Sequence, residues 1–205
     1  MPRIITIGRE FGSGGRELGR RLAETLGFAY YDSEIIKEIA KKTPFSEEYI
    51  NEVSESGPIP LFPIHYGNSL SMVNDASVDM ALDIFSAQSE ILKELASKSD
   101  CVIIGRAADY VLRDMDPFRI FVYADSKAKL ERCKGRATAE EKLTDKQLLR
   151  KMKTIDKKRK RYYEFYSGRT WGGRNSYDVL VNTSNQDIKK IAHSIARLFE
   201  EEEAK

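Results

Sequence analysis

Ile4, Ile5 and Ile7 form a β-branched run near the start of the chain. Gly8, Gly12, Gly14 and Gly15 follow, and then an apolar stripe at Leu18, Leu22, Ala23 and Leu26. Branched apolar residues in succession suit a strand covered on both faces, and the later spacing is helical. The stretch therefore predicts a buried strand, a glycine-rich turn and an amphipathic helix. Glycines in such a turn permit positive φ and let backbone N–H groups approach an anion, which also meets the positive end of the helix dipole. Gly12, Ser13, Gly14, Gly15, Arg16 and Glu17 are thus candidates for holding phosphate. A tight turn whose glycines serve only packing is the alternative, and placement between a buried strand and a helix favours the anion site.

The alternation of strand and helix patterns then recurs. Gly27 ends the first helix, Phe28–Tyr31 reads as a short strand closed by Asp32, and Ser33 is placed to cap a helix from Glu34 to Lys42. Asp32 stands at the carboxyl end of a strand, where ligands bind in open α/β sheets, and helix capping accounts for it equally well. From Thr43 to Asn74, Pro44, Pro58, Pro60 and Pro63 interrupt a polar segment that carries Leu61, Phe62, Ile64, His65 and Tyr66, the pattern of a mobile lobe or a partner contact. A long helix from Asp75 to Lys98 follows, with Ala81, Ile84, Phe85, Ile91, Leu92 and Leu95 as its apolar set.

Cys101–Ile104 reads as an interior parallel strand with Gly105 and Arg106 at its carboxyl end. A permanently charged, bidentate guanidinium at that edge suits a phosphate; pairing with Asp109 is the alternative. Arg119–Ala124 predicts a fourth strand and Ser126 starts a helix to about Cys133. Cations then dominate from Lys134 to Arg161, in a segment helical from Thr144. Such a run is ordinarily a solvated face, but Leu148, Leu149, Met152 and Ile155 give it a docking stripe. Tyr162, Tyr163, Phe165, Tyr166 and Trp171 read as added aromatic surface, and aromatics beside cations also suit single-stranded nucleic acid. Tyr177–Asn182 is a fifth strand, and Asn185–Phe199 a closing helix with Ile188, Ile191, Ile195 and Leu198 turned inward. Five strands alternating with helices predict a parallel three-layer α/β domain.

The totals narrow the function. At 205 residues the chain suits one domain, and 34 Lys+Arg against 32 Asp+Glu leave a net charge of only +2, which makes nucleic acid an unlikely partner. Cys101, Cys133, His65 and His193 lack metal-ligand spacing and read as structural or surface residues in a reduced compartment. With no apolar run of ~20 residues and a core strand at the start, neither membrane span nor signal peptide is expected, and the expected location is cytoplasmic.

Three blocks carry a resemblance: REFGSGGRELGRRLAETLGFAYYD, VIIGRAADYVL, and IDKKRKRYYEFYSGRTWGG followed by YDVLVNTS. Together they resemble the cytidylate kinase-like branch of the nucleoside monophosphate kinases, within the P-loop fold. The resemblance spans nearly the whole chain. It implies a P-loop kinase fold with a five-stranded parallel sheet, a core over 1–42, 99–133 and 174–205, a helical acceptor-binding lobe over about 43–98 and a helical lid over about 134–173. It implies ATP and Mg2+ as cofactors and a nucleoside monophosphate, CMP or dCMP, as acceptor. By the same resemblance Arg106 holds the acceptor phosphate, Asp32 and Ser33 begin the acceptor-binding helix, and Asp156, Arg159 and Arg161 form the lid's Asp/Arg cluster.

The match departs from the family where metal and γ-phosphate are handled. The P-loop lysine falls on Gly15, the small residue after it on Arg16, the metal-binding hydroxyl on Glu17, and the acidic residue before Gly-Arg on Ile104. The expectation is that backbone N–H groups of Gly12 to Arg16 cradle the donor phosphates and that Arg16 or Arg9 replaces the lysine. Arg106 would fix the acceptor phosphate, Arg159 and Arg161 would close over the transferring group, and Glu17 would hold magnesium directly or through water. Alternatives are a nucleotide-binding regulatory protein with little or no transfer, or a kinase for a non-nucleotide small molecule. Leu61, Phe62, Ile64 and Tyr66 could close on a nucleotide or join subunits in a homo-oligomer.

Overall fold

The computed structural model describes residues 2–50, 75–136 and 143–199, with side chains of 75–78 left aside. The stretch 51–74, which carries Leu61, Phe62, Ile64, His65 and Tyr66, lies outside the described residues, as do 137–142 of the basic segment and the Glu-rich end.

The elements are β1 (Ile4–Arg9), α1 (Gly15–Leu26), β2 (Ala29–Tyr31), α2 (Glu34–Lys42), α3 (Asp75–Lys98), β3 (Cys101–Ile104), α4 (Ala108–Val111), a 3₁₀ turn (Arg113–Met115), β4 (Phe118–Tyr123), α5 (Ser126–Arg136), α6 (Asp145–Ser167), β5 (Val179–Asn182) and α7 (Ile188–Ala196). The five strands make one sheet in the order β2-β3-β1-β4-β5, every pairing parallel. Ile4 to Ile7 lie in register with Cys101 to Ile104.

Period-2 alternation splits the core between the two faces. Ile5, Ile7, Val102, Ile104, Ile120 and Val122 pack with Leu18 and Leu22 of α1 and Ile188, Ala192 and Ile195 of α7. Ile4, Cys101 and Ile103 face the other way, onto Ile35, Ile36 and Ile39 of α2 and Ile84, Ile91 and Leu92 of α3. Helices on both faces of a parallel sheet give the expected three-layer α/β fold. All strand C-termini point to one edge, and there the chain collects its glycine loop and most of its candidate cations.

Three local expectations change. Ser33 stands at the N-cap of α2 without a side-chain cap; Glu34 in the first turn instead accepts from the Asp32 N–H at 3.1 Å. Helix α6 runs on through Tyr162, Tyr163 and Tyr166, and the first two are buried against Phe121 and Tyr177, so they are core rather than surface. Phe165 is the exposed one, at 53 %. Leu198 is exposed because α7 ends at Ala196, two residues before it.

Candidate active site

The glycine loop between β1 and α1 is braced on several sides. Ser13 is fully buried; its hydroxyl donates to the Glu10 carbonyl at 2.8 Å, and its own carbonyl accepts from Thr183 Oγ1 at 2.6 Å. Gly12 and Gly14 sit at φ 76° and 84°; Gly14 is the N-cap of α1, and the Gly15 N–H donates to Ser13 Oγ at 3.4 Å. A Cβ on Gly15 would lie 2.6 Å from Cβ of Arg9, so the position aligned with the family's lysine has room for no side chain. Arg132 of α5 donates to the Gly12 carbonyl at 2.7 Å and to the Thr183 carbonyl at 3.1 Å, closing the loop from the side.

A cavity of about 420 Å³ opens over this loop. Its wall carries Arg9, Arg16, Arg132, Lys134, Arg136, Lys151 and Arg159, with Leu143, Leu148 and Ile155 as its apolar side. Volume and lining suit a small ligand with an anionic end and an apolar end. Next to it, a recess of about 40 Å³ is bounded by Arg9, Arg106 and Arg159 on one side and Tyr162, Tyr163, Trp171 and Tyr177 on the other. Arg9 and Arg159 line both spaces.

Arg9 is the most crowded of these cations. Burial and the neighbouring Arg159, Arg106 and Arg16 push it down to about 9, with Asp32 opposing them. Its guanidinium occupies the space a Cβ on Gly105 would take, so any other residue at 105 would displace Arg9 and be held at φ +70°. Arg106 and Ala107 continue the turn at φ 60° and 50°. Such left-handed conformations cost non-glycine residues about 1 kcal/mol or more each, and they concentrate at functional sites.

Arg16, on the cavity wall, pairs with Asp32, Nε to Oδ2 at 2.5 Å. Asp32 also accepts from Tyr30 Oη at 3.4 Å, and burial together with Asp32 raises the Tyr30 hydroxyl to about 12. Asp32 therefore serves these side chains and does not cap α2. Asp109 accepts from Tyr163 Oη at 2.7 Å, and burial raises its carboxyl above the usual range. Asp156 reaches across from α6 to accept the Phe11 backbone N–H at 2.6 Å, and burial raises it as well. Lys129 lies between Glu10, at 2.9 Å, and Asp156, at 3.3 Å. Arg159 reaches the Arg9 carbonyl at 3.5 Å and lies over the Phe11 ring. Arg161, two positions after Arg159, is half-buried and lines neither space.

Sequence reasoning did not single out Lys129, Arg132, Arg136 or Lys151. Arg132 and Arg136 are four apart on α5 and so share a helix face, the one signal that could have drawn attention to them.

A model of the cytidylate kinase-like family matches residues 4–185. The chain belongs to the cytidylate kinase-like family. A curated relative, the cytidylate kinase of Thermoplasma acidophilum, is 28 % identical over 201 residues, spanning 96 % of this chain and 92 % of that protein. A crystal structure of an uncharacterized protein from Eubacterium ventriosum superposes with a TM-score of 0.66 at 27 % identity, over 96 % and 97 % of the two chains. The shikimate kinase of Acinetobacter baumannii matches at a TM-score of 0.51 and 21 % identity, over 100 % of this chain and 96 % of that one, a likeness of fold. The fold is that of the P-loop kinases, with the parallel sheet and loop described above.

Kinases of this family imply ATP, with magnesium typical. The cation-lined cavity over the glycine loop fits a polyphosphate in charge and size. The carboxylates do not fit a metal. Glu17 directs both oxygens to arginines, Arg21 at 2.9 Å and Arg136, while Asp32 holds Arg16, and Glu10 and Asp156 share Lys129. The Ser13 hydroxyl is buried and bonded to the Glu10 carbonyl. Glu17, expected as the metal ligand, is thus an ion-pairing residue that ties α1 to α5. No group of three or more His, Cys, Asp or Glu able to hold a metal occurs among the described residues, and no described helix is long and apolar enough to cross a membrane.

Proposed function

We propose that this chain transfers the terminal phosphoryl group of ATP to a small phosphorylated acceptor, a nucleoside monophosphate such as CMP or dCMP. The observation that carries the reading is the position of Arg9 and Arg159, which line both the cavity over the loop and the recess beside Arg106. A group passing from a ligand in one space to a ligand in the other passes these two guanidiniums. Phosphoryl transfer asks mainly for in-line placement and compensation of charge on the equatorial oxygens, and two guanidiniums between the spaces supply the compensating charge.

In this reading the backbone of Gly12 to Arg16 receives the donor phosphates and Arg132 fixes the loop. Arg9 takes the part of the missing lysine, since Arg16 is held by Asp32. Arg106 receives the acceptor phosphate, with Tyr162, Tyr163, Trp171 and Tyr177 as the wall beside it. Residues 43–98 act as the acceptor lobe and 134–173 as the lid, with Asp156 fastening the lid to the loop. The departures at Gly15 and Glu17 favour a second reading, a nucleotide-binding protein without transfer. Single-strand nucleic-acid binding loses support because Tyr162 and Tyr163 are core.

A coupled ADP-release assay with ATP and magnesium against a panel of nucleoside monophosphates separates the two. Release stimulated by one monophosphate, with its KM raised in Arg106→Ala, is the expected result. Nucleotide-dependent thermal stabilisation with no acceptor-stimulated release would support the binding protein instead.

A further inference from the structure

Gln88 is fully buried on α3, and its side chain spans two other elements. Its Nε2 donates to the Arg106 carbonyl at 3.0 Å and to the Tyr162 hydroxyl at 2.8 Å. The Arg106 carbonyl can only accept, so the amide nitrogen must be the atom that faces it. That carbonyl belongs to a turn with three successive residues at positive φ, Gly105, Arg106 and Ala107. A turn in this conformation persists only where its surroundings over-determine it.

The same side of α3 grips α6 independently. Phe85 stacks on Tyr166 with ring centroids 3.9 Å apart, and Tyr166 donates to the Ala81 carbonyl at 3.1 Å. Gln88 thus stands where α3, the Arg106 turn and α6 meet.

We propose that Gln88 is the positioning residue for Arg106, setting the direction in which that arginine is presented to an anionic acceptor. This rests on the reading of Arg106 as the ligand of the acceptor phosphate. The amide donor, rather than the volume of the side chain, is the working part. Gln88→Met keeps the volume and removes the donor. Gln88→Glu keeps the shape, and its carboxyl donates to the Arg106 carbonyl only while protonated.

Two measurements decide it. In acceptor-dependent turnover, Gln88→Met raises the acceptor KM about tenfold with the ATP KM within about twofold. Gln88→Glu approaches wild type at low pH and loses acceptor affinity as pH rises, a profile that a packing role would not produce. Equal changes in both KM values, or none, overturn the proposal. Independently of turnover, inorganic phosphate is titrated against the Arg106 Nε–H resonance, assigned with Arg106→Lys. A response in wild type that needs about tenfold more phosphate in Gln88→Met supports the positioning role even if no acceptor is ever phosphorylated, in which case the kinase reading alone falls. An unchanged response, or none in wild type, overturns it.

Discussion

Asp156, in the middle of helix α6, accepts a 2.6 Å hydrogen bond from the backbone N–H of Phe11 in the glycine loop, 145 positions earlier. With Lys129 held between Asp156 and Glu10, this fastens the basic helix, the loop and α5 at one point. Asp156→Ala leaves that N–H without its carboxylate and removes one partner of Lys129. The expected cost is about 1–3 kcal/mol, which for a chain of this size lowers Tm by about 2–4 °C per kcal/mol. Lys129→Met leaves two neighbouring carboxylates without their shared cation. A double-mutant cycle by thermal unfolding is expected to give a coupling energy between Lys129 and Asp156 of about 1 kcal/mol or more.

Gly105→Ala puts a methyl group into the space of the Arg9 guanidinium and forces a non-glycine residue to φ +70°. Stability is expected to fall by at least about 1 kcal/mol. Phosphate-dependent thermal stabilisation is expected to fall too, since Arg9 must leave its place between the two spaces. Gly27→Ala is the control: a Cβ there meets nothing within 4 Å although φ is +68°, so it bears the backbone cost without touching the site.

Arg119 and Asp178 make a small acid-sensitive contribution to stability. The Asp178 carboxylate accepts from the Arg119 backbone N–H at 2.8 Å and its Nε at 3.0 Å, and these bonds hold its carboxyl below the usual 3.8. A carboxyl lowered in the folded state stabilises at pH above its unfolded value, and that contribution disappears as pH falls through the folded value. Asp178→Asn is therefore expected to lower stability at pH 7 by about 0.5–1 kcal/mol, given how exposed the pair is. The gap from wild type should close as the pH is taken below 3.8, which thermal scans across acid pH would show.

The pattern along the chain reveals the core well because its signal is local. Glu34–Lys42 and Asp75–Lys98 are helices over the residues that their apolar spacing marks out, and the branched runs at Ile4 and Cys101 become adjacent interior strands. The site is only half legible, because its charges are decided by partners distant in sequence. Glu17 looks like a free carboxylate until Arg136, 119 positions on, is brought against it. Arg16 looks like the natural substitute for a lysine one position away, but Asp32 captures it, and Arg9, hidden at the end of β1, is left facing both spaces. Tyr162 and Tyr163 follow a run of cations and read as surface, yet α6 rotates them onto Phe121 and Tyr177.

In the proposed reaction Arg9 supplies the charge that a lysine supplies in related P-loops. Single-turnover transfer from γ-labelled ATP, in wild type and in Arg9→Ala, tests it with the acceptor that best stimulates ADP release. A fall in the transfer rate of about 10³-fold or more, the scale of a transition-state arginine, is the predicted result. A transfer rate in Arg9→Ala within a few-fold of wild type would contradict it.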